Sequence, residues 1–168
     1  MKYNPEINHR RSIRLKGYDY SKAGAYFITV CTKGKELLFG NVVEGEMHLN
    51  EIGGMVQMVW EELPEYYPGV AIDAFQIMPN HIHGIIILNH PIPPVGAGSC
   101  ACPFLGQPRG VAPTLSLPDV MHRFKSLTTT RCRQIVKSNG WSLQQLWQRN
   151  YYEHVIRNDV EVSLVLRE

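Results

Sequence analysis

Eleven residues, Met78-Pro79-Asn80-His81-Ile82-His83-Gly84-Ile85-Ile86-Ile87-Leu88, constrain this chain more than any other stretch. An apolar run from Ala71 to Ile77 stops at Met78-Pro79-Asn80. Pro79 has no backbone N–H and cannot sit in a central ladder, so a turn is predicted there. Ile85, Ile86 and Ile87 are β-branched and favour a strand over His81 to Leu88. Strands over Val70 to Ile77 and His81 to Leu88, joined by so short a connection, must be antiparallel neighbours. Side chains alternate along a strand, so His81 and His83 project from one face, about 7 Å apart, with Ile82 on the other. Two imidazoles so placed can share one divalent metal ion or one phosphate. A His-x-His pair occurs in many unrelated proteins, but an apolar strand face rarely takes two polar rings without a partner.

The rest of the chain surrounds that strand with alternating elements. Ala25-Tyr26-Phe27-Ile28-Thr29-Val30-Cys31-Thr32 is dense in β-branched and aromatic residues and predicts a strand. Glu36 to Leu49, broken by Gly40-Asn41 and Gly45, predicts a hairpin or meander. Asn50 offers a capping oxygen to a helix over 51–63, where Ile52, Met55, Val56, Val59, Trp60 and Leu63 recur at helical spacing. Pro64 and Pro68 end it, and Met55, Met58 and Trp60 read as core packing. Pro118-Asp119 opens a second helix with Val120, Phe124, Leu127 and Ile135 as its buried stripe and Asn139-Gly140 as its stop. Arg123, Lys125, Arg131, Arg133 and Lys137 on that helix read as a solvated basic face. Trp141, Leu143, Leu146 and Trp147 form an apolar patch, Val155-Ile156-Arg157 begins a further packed segment, and Asn158 or Asp159 can cap a final helix. That helix has no stop signal before Glu168, which reads as an abrupt end.

This order predicts an α+β fold, ferredoxin-like: an antiparallel sheet with helices packed on it. Six prolines and four glycines between Asn89 and Ser116 predict a loop inserted beside the histidine strand, at about 89–117, in a single domain spanning 1–168.

Composition narrows the function classes. A hydrophobic content of 44% can fill a core, and a net charge of +2 permits nucleic-acid binding without demanding it. No run of 18 apolar residues is present, and the first residues lack the apolar core of a signal peptide. Cys31, Cys100, Cys102 and Cys132 show no zinc spacing and read as free thiols of a cytosolic protein. His9, Arg10, Arg11, Arg14 and Lys16 form either a solvated tail or a phosphate-contacting arm.

Four stretches carry a family resemblance. They are Gly24-Ala25-Tyr26-Phe27-Ile28-Thr29, Met78 to His83, Phe124-Lys125-Ser126-Leu127-Thr128, and Trp147-Gln148-Arg149-Asn150-Tyr151-Tyr152-Glu153-His154-Val155-Ile156-Arg157. In register, they resemble the REP-associated tyrosine transposases, single-tyrosine members of the HUH (His–hydrophobic–His) endonuclease superfamily. The resemblance covers the chain from about Arg10 onward, apart from the Pro-rich insert.

It implies a bacterial, cytoplasmic protein that cuts and rejoins single-stranded DNA beside hairpins at the ends of mobile or repeated elements. His81 and His83 match the family's metal-binding histidines, which hold Mg²⁺ or Mn²⁺. Such an ion stabilises charge on the scissile phosphate while a tyrosine attacks to give a 5′-phosphotyrosine. Arg10, Arg11, Arg14, Arg149 and Arg157 are the expected phosphate contacts, and a homodimer is among the assemblies allowed. The family's nucleophilic tyrosine is expected at or just beyond Glu168, with a third metal ligand one turn further on. No residue here matches either; Tyr151 and Tyr152 match an aromatic pair upstream. The chain therefore reads as truncated or decayed. The alternatives are a catalytically inactive DNA-hairpin-binding protein with a vestigial metal site, and a two-histidine hydrolase of small phosphate esters.

Overall fold

A computed structural model describes residues 14–15, 17–89, 115–140 and 143–157. Strand β1 (Gly24–Cys31) is followed by a single 3₁₀ turn at Lys33–Lys35 and a hairpin of β2 (Gly40–Val43) and β3 (Glu46–Leu49). Helix α1 (Glu51–Glu61) and the short helical turn α2 (Leu63–Tyr66) lead into β4 (Val70–Met78) and β5 (His81–Leu88). Helix α3 (Leu117–Ser138) and strand β6 (Tyr152–Ile156) complete the described chain.

The main sheet has the order β4-β5-β1-β6, and its neighbours are antiparallel. β1 and β4 are therefore parallel strands split by β5, with α1 in the crossover between them. This is the ferredoxin-like α+β arrangement that the element order predicts.

The sheet has two unlike faces. Tyr26, Ile28 and Val30 of β1, Ile82 and Ile86 of β5 and Val155 of β6 are buried in one core with Val56 and Trp60 of α1 and Val120 and Phe124 of α3. The alternate residues of β1, from Phe27 through Thr29 to Cys31, are half-buried on the other side. Trp60 anchors the core: it stacks on Phe75 at 4.6 Å and meets Phe124 edge-on at 5.5 Å. Gly84 makes that seat, because a Cβ there would lie 2.5 Å from the Trp60 ring. Gly53 has a similar reason: a Cβ would lie 2.2 Å from the Phe39 carbonyl, so the residue that weakens the first turn of α1 is required by packing.

Helix boundaries follow local chemistry. The Asn50 side chain accepts the Gly53 N–H at 2.9 Å, and a capping box of Ser116 and Asp119 opens α3. Asn139 caps the C-terminus of α3 and Gly140 follows with φ +75°.

Three expectations need correction. Met58 is 55% exposed: it lies on the outer side of α1 and is not core. The buried stripe of α3 is Leu117, Val120, Met121, Phe124, Thr128, Cys132 and Val136, and Leu127 and Ile135 flank it half-buried. The packed segment expected at Val155 and Ile156 is the edge strand β6, where Val155 enters the core and Ile156 pairs with Ala25. Pro64 does not close α1 but starts α2, a position that tolerates proline because its missing N–H has no helical partner. The final helix and most of the Pro/Gly-rich insert lie outside the described residues.

Candidate metal and nucleic-acid site

The turn between β4 and β5 consists of Pro79 and Asn80, and the loop after β1 pins it. Thr32 donates its backbone N–H to the Asn80 carbonyl at 2.9 Å and its hydroxyl to the same oxygen at 3.0 Å. The Phe39 N–H reaches the Pro79 carbonyl at 3.0 Å, and the Asn80 amide donates to the Lys35 carbonyl at 3.3 Å. The tip that carries the histidines is thus held by a buried threonine, the Phe39 N–H and the Lys35 carbonyl.

His81 and His83 leave this tip on the sheet face away from the helices. Their ring centroids are 4.7 Å apart, edge to face. The Asn80 Oδ1 lies 2.6 Å from His81 Nδ1. Because the Asn80 amide nitrogen already donates to Lys35, the oxygen is left to accept, so His81 carries its proton on Nδ1 and a lone pair on Nε2. His83 Nδ1 lies 2.9 Å from the Thr29 hydroxyl, and its ring stacks on Phe27 at 5.4 Å and 12°. Both rings are therefore oriented by partners behind them, as metal-binding histidines commonly are. Burial, assisted by the Lys35 charge, holds the His81 imidazole below its ordinary 6.5 and so favours the neutral form that can bind a metal.

One row of side chains crosses the whole sheet: Gln76, His83, Thr29 and Tyr152 are register partners on β4, β5, β1 and β6. Gln76 donates its amide to the Met78 sulfur at 3.7 Å, which leaves its oxygen on the same side as the histidines. Tyr152 is 57% exposed at the far end of the row. With strands spaced about 4.8 Å, it stands roughly 10 Å from His83. Nothing in the local sequence pattern marks Thr29 or Gln76 as site residues, and Asn80 stands there only as part of the predicted turn. Asn80 directly before His81 was a visible cue, whereas Thr29 and Gln76 are sequence-distant and reach the site by strand pairing alone.

Two imidazoles are open to several divalent cations and do not by themselves choose Mg²⁺ or Mn²⁺ over Zn²⁺. Two imidazoles supply part of a coordination shell, and Mg²⁺ keeps waters and takes phosphate oxygens for the remainder. Among the described residues, no group of three or more His, Cys, Asp or Glu side chains could hold a metal ion.

The expected phosphate contacts divide. Arg10 and Arg11 lie outside the described residues. Arg14 places its guanidinium 5.4 Å from the centre of the Tyr151 ring, and its Nε lies 3.7 Å from the Glu153 carboxylate, whose side chain is 2% exposed. Arg14 is thus bound up with a buried carboxylate. Arg149 and Arg14 line one cleft of about 590 Å³ between α3 and the segment before β6. Arg157 is exposed just past the end of β6, away from that cleft's lining.

Lys125 corrects the reading of α3 as an evenly solvated basic face. Its ammonium donates to the carbonyls of Gln148, Arg149 and Asn150 at 2.5, 3.2 and 3.3 Å. Burial lowers it to about 8, which leaves it charged at neutral pH. Arg131 is also engaged, with Glu62 at 2.8 Å. No helix among the described residues is long and apolar enough to cross a membrane.

No model of a known protein family matches the chain. An uncharacterised protein of Haemophilus influenzae is 43% identical over 164 residues, covering 94% of this chain and 84% of its own. A REP-associated tyrosine transposase, solved bound to a REP hairpin, superposes with a TM-score of 0.55 at 20% identity, over 90% of this chain and 67% of that one. A protein from Deinococcus radiodurans R1 assigned as a transposase superposes with a TM-score of 0.50 at 15% identity, over 92% of this chain and 93% of that one. The chain belongs to the family of the Haemophilus influenzae protein, and its fold is that of the REP-associated tyrosine transposases.

Proposed function

We propose that this protein binds hairpin-bearing single-stranded DNA and, through a divalent cation held by His81 and His83, takes part in cleaving and rejoining it. One observation carries this reading: the two imidazole rings lie 4.7 Å apart on the sheet face away from the helices, each fixed from behind by a neighbouring polar side chain. A bound Mg²⁺ or Mn²⁺ would supply electrostatic stabilisation to a scissile phosphate. The chain's own part is positional. Asn80 keeps the His81 Nε2 lone pair outward, and Thr29 and Phe27 fix the plane of His83. Tyr152 offers a ring on which an unpaired base can stack. The solved relative bound to a hairpin supports the choice of DNA ligand. The resemblance supplies the tyrosine nucleophile and the 5′-phosphotyrosine, and no tyrosine of the described residues is assigned that role.

The test uses a hairpin-tailed oligonucleotide and Mn²⁺, with wild type and the His81→Ala/His83→Ala double variant. Wild type should bind the oligonucleotide and titrate Mn²⁺, and the double variant should lose the Mn²⁺ signal while keeping its melting temperature. An unchanged Mn²⁺ titration would remove the metal site. Hairpin binding without nicking or a covalent protein–DNA adduct would select the non-cleaving reading.

A further inference from the structure

We infer that the side-chain oxygen of Gln76, on β4, is a third metal ligand beside His81 and His83, and that it tilts the site toward Mg²⁺ or Mn²⁺ and away from Zn²⁺. The inference rests on the metal reading above and gives that site a ligand from a second strand.

Gln76 owes its position to a break in strand alternation. Ile72 pairs with the buried Ile86 and packs against the core on the helix side of the sheet. In an unbroken strand, residues an even number apart share a face, so Gln76 would follow Ile72 toward the helices. The register shifts between Ile72 and Phe75: while β4 advances from Ile72 to Phe75, β5 advances only from Ile86 to Gly84. The extra residue on β4 is a β-bulge, and such an insertion exchanges the two faces of everything after it. Phe75 therefore turns inward to stack on Trp60, and Ile77 enters the core opposite Ile82. Gln76 comes out on the histidine side, directly opposite His83. Bulges beside functional sites commonly re-aim one side chain in this way.

Directly opposed residues on antiparallel strands have Cβ atoms about 4.5–5.5 Å apart, a gap that a glutamine side chain spans. The Gln76 Nε2 donates to the Met78 sulfur at 3.7 Å. A thioether sulfur has no proton to give, so the amide nitrogen takes that side and Oε1 is left as the ligand atom. His81 and His83 turn Nδ1 toward Asn80 and Thr29, which leaves their Nε2 atoms for the ion. The donor set is then two imidazole nitrogens and one amide oxygen. An amide oxygen suits hard cations, whereas Zn²⁺ in proteins takes nitrogen, thiolate and carboxylate. Cys31 faces His81 from β1, but among the described residues it makes no metal-holding group with the two histidines. None of the three ligands is an anion, so the ion's charge is left for a phosphate oxygen.

The test titrates the full chain with Mn²⁺, read as loss of the free-ion EPR signal, and separately with Zn²⁺. Wild type is compared with Gln76→Leu, which removes the oxygen, and Gln76→Glu, which puts an anionic oxygen in its place. Gln76 is exposed, so both variants should keep the wild-type melting temperature. Loss of an outer partner alone costs about 10–100-fold in metal affinity, so loss of a ligand should weaken Mn²⁺ binding by about tenfold or more in Gln76→Leu. Gln76→Glu should bind Mn²⁺ more tightly than wild type, and Zn²⁺ affinity of Gln76→Leu should fall less than Mn²⁺ affinity. Wild-type Mn²⁺ affinity in Gln76→Leu, or a Gln76→Glu variant that binds no better than Gln76→Leu, would overturn the inference. An equal loss of Zn²⁺ and Mn²⁺ would overturn the claimed preference. A wild type that binds no Mn²⁺ would sink the metal reading itself, whereas normal Mn²⁺ binding by wild type and both variants sinks only the role of Gln76.

Discussion

The Asn80 Oδ1 accepts from His81 Nδ1 at 2.6 Å while the amide of the same Asn80 donates to the Lys35 carbonyl. One short side chain thus ties a loop to an imidazole and dictates which ring nitrogen faces outward. Asn80→Ala removes both bonds and lets the ring choose either tautomer. Loss of such an outer partner typically costs about 10–100-fold in metal affinity. The expected result is Mn²⁺ binding weakened by that order, with ¹⁵N shifts of His81 moving toward a tautomer mixture. Unchanged shifts would mean that Asn80 does not orient the ring.

Acid should act on His81 later than on an ordinary histidine. Its folded value lies below 6.5, chiefly through burial and secondarily through Lys35. Just below that pH the unfolded chain binds the proton and the folded chain resists it. Stability from this group is therefore lost as pH falls through that window. An NMR titration should place the His81 midpoint below 6.5, and a midpoint at or above 6.5 would contradict the burial argument.

Gly84→Ala tests the seat of Trp60. An alanine in a strand gains about 0.5–1 kcal/mol over glycine in chain entropy. The new Cβ, however, lies 2.5 Å from a ring wedged between Phe75 and Phe124. Overpacking of that kind costs about 1–3 kcal/mol, so the clash wins. Urea unfolding should show net destabilisation of about 1–2 kcal/mol, and a neutral or stabilising result would show that Trp60 can shift.

Lys125→Met keeps the length of the side chain and its packing but takes the donor away from three carbonyls. Hydrogen bonds from a charged group contribute about 1.5–3 kcal/mol, and partial hydration of the freed carbonyls recovers some of that. A loss of about 2 kcal/mol in chemical denaturation is expected. Faster amide exchange around Gln148 to Asn150 should accompany it. A variant as stable as wild type would return Lys125 to the solvated surface.

The sequence alone determined the elements and the histidine face, because both depend on periodicity. β-branched runs, the proline at the turn and helical spacing are local signals, and alternation sends His81 and His83 to one side whatever they pair with. Those signals also carried the strand-helix order from which the ferredoxin-like sheet follows. They did not reach Thr29, Gln76 or Tyr152, which share one row with His83 only because β1, β4 and β6 pair in a particular register. They misplaced Met58, since an apolar residue at helical spacing is buried only if a neighbour covers it. They also read Lys125 as surface charge, although a loop folded over α3 turns its ammonium into a clamp on three carbonyls. Pattern along the chain fixes which way a side chain points; what it meets there depends on distant segments, and tertiary packing alone decides that.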